Sequence, residues 1–197
     1  MAPPRIIDPE GYVHVGSRGN FGRALYEDPS HRTTFLLLYA RVARDLGWTT
    51  LAYCLMTNHY HFLIRLTDGG LSEGMQQLNG TFSRRMNALH DRTGGGHLFK
   101  NRFDGTPVES EAHLLEVCRY IVLNPVFAGV CDRPEDSTWS SYRANAGLDL
   151  PPSFLAVDEV LELFGTDRAK ARAAYVAFVS DGHVRWSDQR DAVVTRV

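Results

Sequence analysis

Two apolar runs, Trp48 to Met56 and His59 to Leu66, are joined by nothing longer than Thr57-Asn58. So short a link favours a tight reversal, with the two runs paired as antiparallel strands of a hairpin. Everything else in the chain has to be arranged around that pair. Upstream, Gly11-Tyr12-Val13-His14-Val15 reads as an earlier strand, ended by the turn-rich Gly16-Ser17-Arg18-Gly19-Asn20. Asp28-Pro29 supplies an N-cap followed by proline at the first helical position. The helix it starts carries Phe35, Leu36, Leu38, Tyr39, Val42, Ala43 and Leu46, and Gly47 can close it.

Downstream of Thr67-Asp68-Gly69-Gly70, the residues Leu71, Met75, Leu78, Phe82, Met86 and Leu89 recur at helical spacing. The polar face of that second helix holds Gln76, Gln77, Asn79, Arg84 and Arg85. A loop from Gly94 to Phe103 mixes glycines with cations and aromatics. Val108 and its neighbours form a fourth strand, and Ser110 caps a third helix that Asn124-Pro125 should stop. Strand, helix, strand, strand, helix, strand, helix is the order of a ferredoxin-like, split β-α-β layout. The expected class is α+β, one antiparallel sheet with helices on one face. Composition shifts at Gly147, with Pro151-Pro152 close behind. Asp158 and Thr166 read as N-caps of two short helices, which divides the chain into a main domain, 1–146, and a helical C-terminal extension, 147–197.

A chain of 197 residues, 44% hydrophobic and 22% charged, suits one compact domain with a small appendage. No apolar stretch approaches membrane-spanning length, and the N-terminus lacks a signal-peptide core, so no membrane partner is expected. Cys54, Cys118 and Cys131 form no C-x-x-C pair and read as reduced thiols of a cytoplasmic protein. The net charge of −2 gives no global sign of nucleic-acid binding. Locally, the stretch from Gln76 to Gly105 has five basic side chains (Arg84, Arg85, Arg92, Lys100, Arg102) against two acidic ones, Asp91 and Asp104. Arginine's planar fork suits phosphate. A solvated helix face explains such a run equally well.

On a strand, His59 and His61 point to the same face and form a pair of imidazole donors. On a helix, Tyr120 and Asn124 are one turn apart on one face. Two imidazoles, an amide and a phenol together suggest phosphodiester chemistry with tyrosine as nucleophile. Each part also has a plainer reading. A chain with 8 histidines produces H-x-H spacings by chance. Tyr120 reads equally as a core tyrosine, Asn124 as a helix terminator, and Arg119 as a surface arginine or a phosphate contact. Phe99 and Phe103 are base-stacking candidates or core. His14, His97 and His113 lack a patterned partner and read as structural.

Tyr53-Cys54-Leu55-Met56-Thr57-Asn58-His59-Tyr60-His61 resembles the His-hydrophobic-His block of small tyrosine transposases that act on single-stranded DNA, above all the REP-associated tyrosine transposases. Further blocks match in order: His14-Val15 with Ser17-Arg18-Gly19-Asn20, Gly74 to Gly80, Gly96-His97-Leu98-Phe99 with Arg102-Phe103, Arg119-Tyr120-Ile121 with Leu123-Asn124-Pro125-Val126, and Trp139-Ser140-Ser141-Tyr142. The resemblance covers roughly residues 11 to 146, and an ordered series is far more specific than H-x-H alone. It implies that His59, His61 and Asn124 hold a divalent ion, Mg²⁺ or Mn²⁺, and that Tyr120 is the nucleophile. It further implies nicking and rejoining of single-stranded or hairpin DNA through a 5′-phosphotyrosine. Arg18, Asn20, Arg84, Arg85, Lys100, Arg102 and Arg119 are the expected DNA contacts.

The chain departs from the family pattern at Thr57, often Pro there, and at Phe127, commonly Arg, which leaves one cationic contact unsupplied. A monomer or homodimer is expected, cytoplasmic and nucleoid-associated. Two other classes compete: a non-cleaving nucleic-acid-binding module of the same fold, and a metal-dependent hydrolase that activates water.

Overall fold

The computed structural model describes residues 8–90 and 96–194, and from 183 onward the backbone course alone. Arg92 and the first glycines of the Gly94–Phe103 loop lie outside the described residues. Four strands, β1 (Tyr12–Arg18), β2 (Thr49–Leu55), β3 (His59–Arg65) and β4 (Asp104–Val108), form one antiparallel sheet in the order β2-β3-β1-β4. Helix α1 (Pro29–Asp45) links β1 to β2, and α2 (Leu71–Leu89) links β3 to β4. This is the split β-α-β order expected from the sequence.

The local signals work as their chemistry requires. Thr57-Asn58 turns the β2–β3 hairpin, and Met56 N donates to His59 O at 2.9 Å. Asp28 Oδ1 accepts from Ser30 N at 2.7 Å to start α1, and Gly47, at φ +65°, follows its end. Ser110 Oγ accepts from His113 N at 3.2 Å to start α3 (Glu111–Phe127).

The sheet is covered on both faces. Tyr60, Phe62 and Ile64 of β3, with Val13 and Val15 of β1, are fully buried. They meet α1 and α2, where Tyr39 stacks on Phe62 with ring centres 3.8 Å apart and Phe35 lies 4.9 Å from Tyr60. The alternate residues His59 and His61 face the other side, and there α3 lies. Helices on one face thus describes α1 and α2, whereas α3 takes the opposite face. The continuous burial of β2 from Thr50 to Leu55 gives the reason, because a strand covered on both faces cannot alternate. Helix α3 also runs through Pro125 to Phe127 instead of stopping at Asn124-Pro125. Proline this near a helix end removes a single backbone donor, that of its own nitrogen to Ile121, and the last turn survives the loss.

The outer edge of β2 is occupied. Leu55 N donates to Trp139 O, Ser141 N to Tyr53 O and Ala156 N to Thr50 O, at 2.8 to 3.0 Å. Beyond a short helix α4 (Tyr142–Asn145), the tail contains α5 (Val157–Glu162) and α6 (Arg168–Val194). Two corrections fall here. Asp158 lies inside the first turn of α5, after Ala156 at the cap, and α6 is a 27-residue helix with Asp167, not Thr166, capping it through Ala169 N and Lys170 N. Arg65 holds α5 to the sheet by two bonds to Glu159, each 2.9 Å. Among the described residues no helix is long and apolar enough to cross a membrane, and the three cysteines are free.

Candidate active site

The side of the β1–β3 pair that faces α3 brings three imidazoles together. Register places Gly16 opposite His61 and His14 opposite Leu63. Lacking a Cβ, Gly16 leaves room for the His61 ring: a methyl there would fall 3.2 Å from His61 Nδ1 and 3.1 Å from Tyr60 O. His14 Nε2 then reaches His61 Nδ1 at 3.0 Å. With His61 Nδ1–H as the donor, His61 keeps an unprotonated Nε2, the tautomer a metal ligand needs.

His59 is fixed from behind in the same way. Asn58 Nδ2 donates to Gly22 O at 3.3 Å, which turns Asn58 Oδ1 toward His59 Nδ1, 2.8 Å away. The Nδ1 proton is thereby committed, and the lone pair of Nε2 faces Asn124 Oδ1 at 3.1 Å. Two acceptors at that distance repel unless a proton or cation lies between them. Burial works against the proton and lowers the His59 pKa, with the bond to Asn124 opposing the shift and Arg18 adding to it. Burial also brings His61 down to about 3, with His14, His59 and Arg18 adding to the effect. His14 falls to about 4 by burial and the nearby His113. All three rings are neutral near pH 7. Among the described residues no group of three His, Cys, Asp or Glu side chains could hold a metal ion; the donor set here is two imidazoles and an amide. Neutral, oriented imidazoles beside an amide oxygen fit a divalent cation.

From α3, Tyr120 leans over this group. Its ring centre is 5.6 Å from that of His61 and 6.0 Å from that of His14, both edge-on. The side chain is 44% exposed, unusual for a tyrosine next to a packed sheet, so it is open to a substrate. Phe127, one of the family departures, lies 6.4 Å from the Tyr120 ring. A 360 Å³ cavity joins these parts, lined by His14, His59, His61 and Tyr120 on one side and by Arg18, Lys100, Arg102 and Asp104 on another.

The other expected contacts are distributed differently. Asn20 acts through its backbone, its N donating to Leu98 O at 2.8 Å, and Lys100 N donates to Arg18 O at 2.8 Å, so segment 98–100 is pinned to the end of β1. Arg84 and Arg85 are exposed on α2 and line no part of the site cavity. Arg119 points away from the site. Its guanidinium bonds Glu116, lies 4.4 Å over the Phe178 ring of α6 and is 3.8 Å from Asp181. Only 12% of that side chain is exposed, so Arg119 is a packing residue between α3 and α6 and not the phosphate contact expected of it. His14, read as structural from the sequence, belongs to the site. Its alternation with Val13 and Val15 was a signal for the other face of β1, but which strand lay beside it was not visible.

Comparison with known proteins gives the family and the fold. The family described as "Transposase IS200 like" matches residues 12–124, which run from β1 to Asn124 and include every residue of the candidate site. The chain belongs to the IS200-like transposase family. Its fold is similar to that of a REP-associated tyrosine transposase solved bound to a REP hairpin, with TM-score 0.65, 18% identity, and 79% of this chain and 91% of that one covered. A presumed transposase from Deinococcus radiodurans R1 is similar at TM-score 0.44 and 19% identity, over 61% of this chain and 95% of the other. No curated protein matches.

Proposed function

We propose that this chain is a REP-associated tyrosine transposase, a divalent-metal-dependent enzyme that nicks and rejoins single-stranded DNA at palindromic hairpins through a 5′-phosphotyrosine. The observation that carries the reading is the position of the Tyr120 ring, 5.6 Å from His61 in the same chain, with Asn124 one turn further along α3 and facing His59. The hairpin bound by the structurally similar transposase supports a hairpin as substrate.

His59, His61 and Asn124 would hold the ion, Mg²⁺ or Mn²⁺, which when bound would polarise the scissile phosphate. Hard Mg²⁺ prefers oxygen to imidazole nitrogen, so these donors favour Mn²⁺ over Mg²⁺ in vitro. Arg18, Lys100 and Arg102 receive the strand's phosphates. The Tyr120 phenol, whose unperturbed pKa near 10 makes it a poor nucleophile, gives up its proton as its oxygen attacks phosphorus. The bond to the 3′ oxygen breaks, that oxygen leaves as a 3′-hydroxyl after taking up a proton, and the 5′ side stays esterified to Tyr120. The ester conserves the bond energy, so a second 3′-hydroxyl can reverse the step and join a new strand without ATP. Tyr120 lies over its own chain's histidines, which supports attack in cis, whether the protein is a monomer or a homodimer. The protein works in the cytoplasm at the nucleoid.

The test is a hairpin oligonucleotide labelled on its 5′-phosphate side, incubated with protein and Mn²⁺ and then denatured. Wild-type protein should carry the label, whereas His59→Ala and Tyr120→Phe should not. Equal binding with no adduct would identify a non-cleaving binding module. Cleavage that persists in Tyr120→Phe would identify a hydrolase that uses water.

A further inference from the structure

Among the described residues that line the active-site cavity, Asp104 is the one charged side chain that the proposed reaction leaves without a task. It begins β4 opposite Gly16 of β1, and Gly16 in turn lies opposite His61 of β3. Residues directly opposite one another in antiparallel strands share a face. Asp104, Gly16 and His61 therefore form one row on the side of the sheet that faces α3, about 10 Å from end to end at the usual strand spacing. Burial along β4 agrees, since Asp104 and Thr106 are exposed and line the cavity while Gly105 between them is buried. The middle of the row holds no side chain, so nothing on it stands between the carboxylate and the imidazole.

A carboxylate is a costly neighbour for phosphate. Arg18, Lys100 and Arg102 line the same cavity, yet among the described residues Asp104 makes no ion pair or hydrogen bond. A cavity of 360 Å³ is roughly 9 Å across, close to one Debye length at physiological salt, so its charges act on whatever enters. An unpaired negative charge there repels the phosphates that the three cations attract. A divalent cation in the same cavity offsets that repulsion. Its candidate ligands, two imidazoles and an amide, bring no negative charge of their own, and Asp104 is the only carboxylate on the cavity wall among the described residues.

We propose that Asp104 supplies the negative charge that the divalent-ion site otherwise lacks, and that the same charge turns phosphate away while the ion is absent. Among the described residues no three His, Cys, Asp or Glu side chains are grouped to hold a metal, so Asp104 acts across the cavity and not as a third direct ligand beside His59 and His61. The ion then enters before the DNA. This rests on the metal-dependent reading above, and its test separates the two.

Asp104→Asn keeps the shape and removes the charge, and Asp104→Glu keeps the charge. Neither should move the Tm, because the side chain is exposed and unpaired. Mn²⁺ alone, titrated calorimetrically into DNA-free protein, should bind Asp104→Asn about three- to tenfold more weakly than wild type, the scale of one charge acting across a solvated cavity. Asp104→Glu should stay close to wild type. Hairpin DNA in EDTA should bind Asp104→Asn about threefold more tightly than wild type, a change of opposite sign. A residue that only packed, or that accepted a hydrogen bond from a base, would not produce both shifts. Wild-type protein that takes up no Mn²⁺ would end the metal-dependent reading and this inference together. Mn²⁺ uptake lost in His59→Ala but unchanged in Asp104→Asn, or metal-free DNA binding that does not tighten in Asp104→Asn, would overturn the inference alone.

Discussion

His14 stands directly behind His61, with its Nε2 3.0 Å from His61 Nδ1, on a neighbouring strand 47 residues away in sequence. A partner behind a ligand fixes which nitrogen faces the metal, and loss of such partners typically lowers metal affinity about 10- to 100-fold. His14→Ala should weaken Mn²⁺ binding by that amount in calorimetric titration. His14→Gln, whose carbonyl can still accept the His61 proton, should recover part of the loss. Equal affinity in all three proteins would remove His14 from the site.

The same pair makes stability depend on acid. His61 at about 3 and His14 at about 4 both lie below the 6.5 of an unfolded histidine. As pH falls below about 6.5 the unfolded chain takes up protons that the native rings refuse, so the folded state loses ground. The stability is whole above pH 6.5 and drains away through pH 4 toward 3, with a slope of at most about 1.4 kcal/mol per pH unit for each group. Urea melts across this window should show the fall, and it should be shallower in His14→Gln. A flat profile would contradict the burial of these rings.

Gly16→Ala probes the room left for the His61 ring. The added methyl would fall 3.1 Å from Tyr60 O and 3.2 Å from His61 Nδ1, so the ring has to move. Overpacking of this kind costs about 1–3 kcal/mol. Mn²⁺ affinity and Tm should both drop, whereas Thr106→Ala, on the same cavity but exposed, should leave the unfolding free energy within about 0.5 kcal/mol of wild type.

Arg102 and Arg119 should separate cleanly in salt titrations of DNA binding. Each phosphate contact contributes about one unit to the slope of log affinity against log salt. Arg102→Ala should lower the slope by about one with little effect on Tm. Arg119→Ala should leave the slope alone and lower the Tm, because its packing on Phe178 and its bonds to Glu116 are lost. The opposite result would return Arg119 to the DNA surface.

What could be read in advance was local. Asp28 and Ser110 cap helices through atoms two or three residues away, and Thr57-Asn58 turns a hairpin, so a short window of sequence contains each cause. His59, His61, Tyr120 and Asn124 were readable as pairs because strand and helix periods place each pair on one face. What could not be read was long-range. The side of the sheet taken by α3 depends on both faces of β2 being apolar, and Arg119 turns toward Phe178 and Asp181, some sixty residues later. Asn58 and His14 orient the His59 and His61 rings through contacts that exist only once β1, β3 and the Asn20–Gly22 turn are assembled. The cap of α6 was missed by one position, as Asp167 outcompetes Thr166 for the first amides of the helix.

The most direct measurement is the chemical site of the DNA–protein link. Adduct formed with Mn²⁺ and a labelled hairpin is digested with protease and nuclease, and the peptides are sequenced by mass spectrometry. The mass of a 5′-phosphonucleotide should be found on Tyr120, in the peptide that also holds Asn124. A nucleotide on any other side chain, or a nicked hairpin with every peptide unmodified, would contradict the assignment of this phenol as the attacking group.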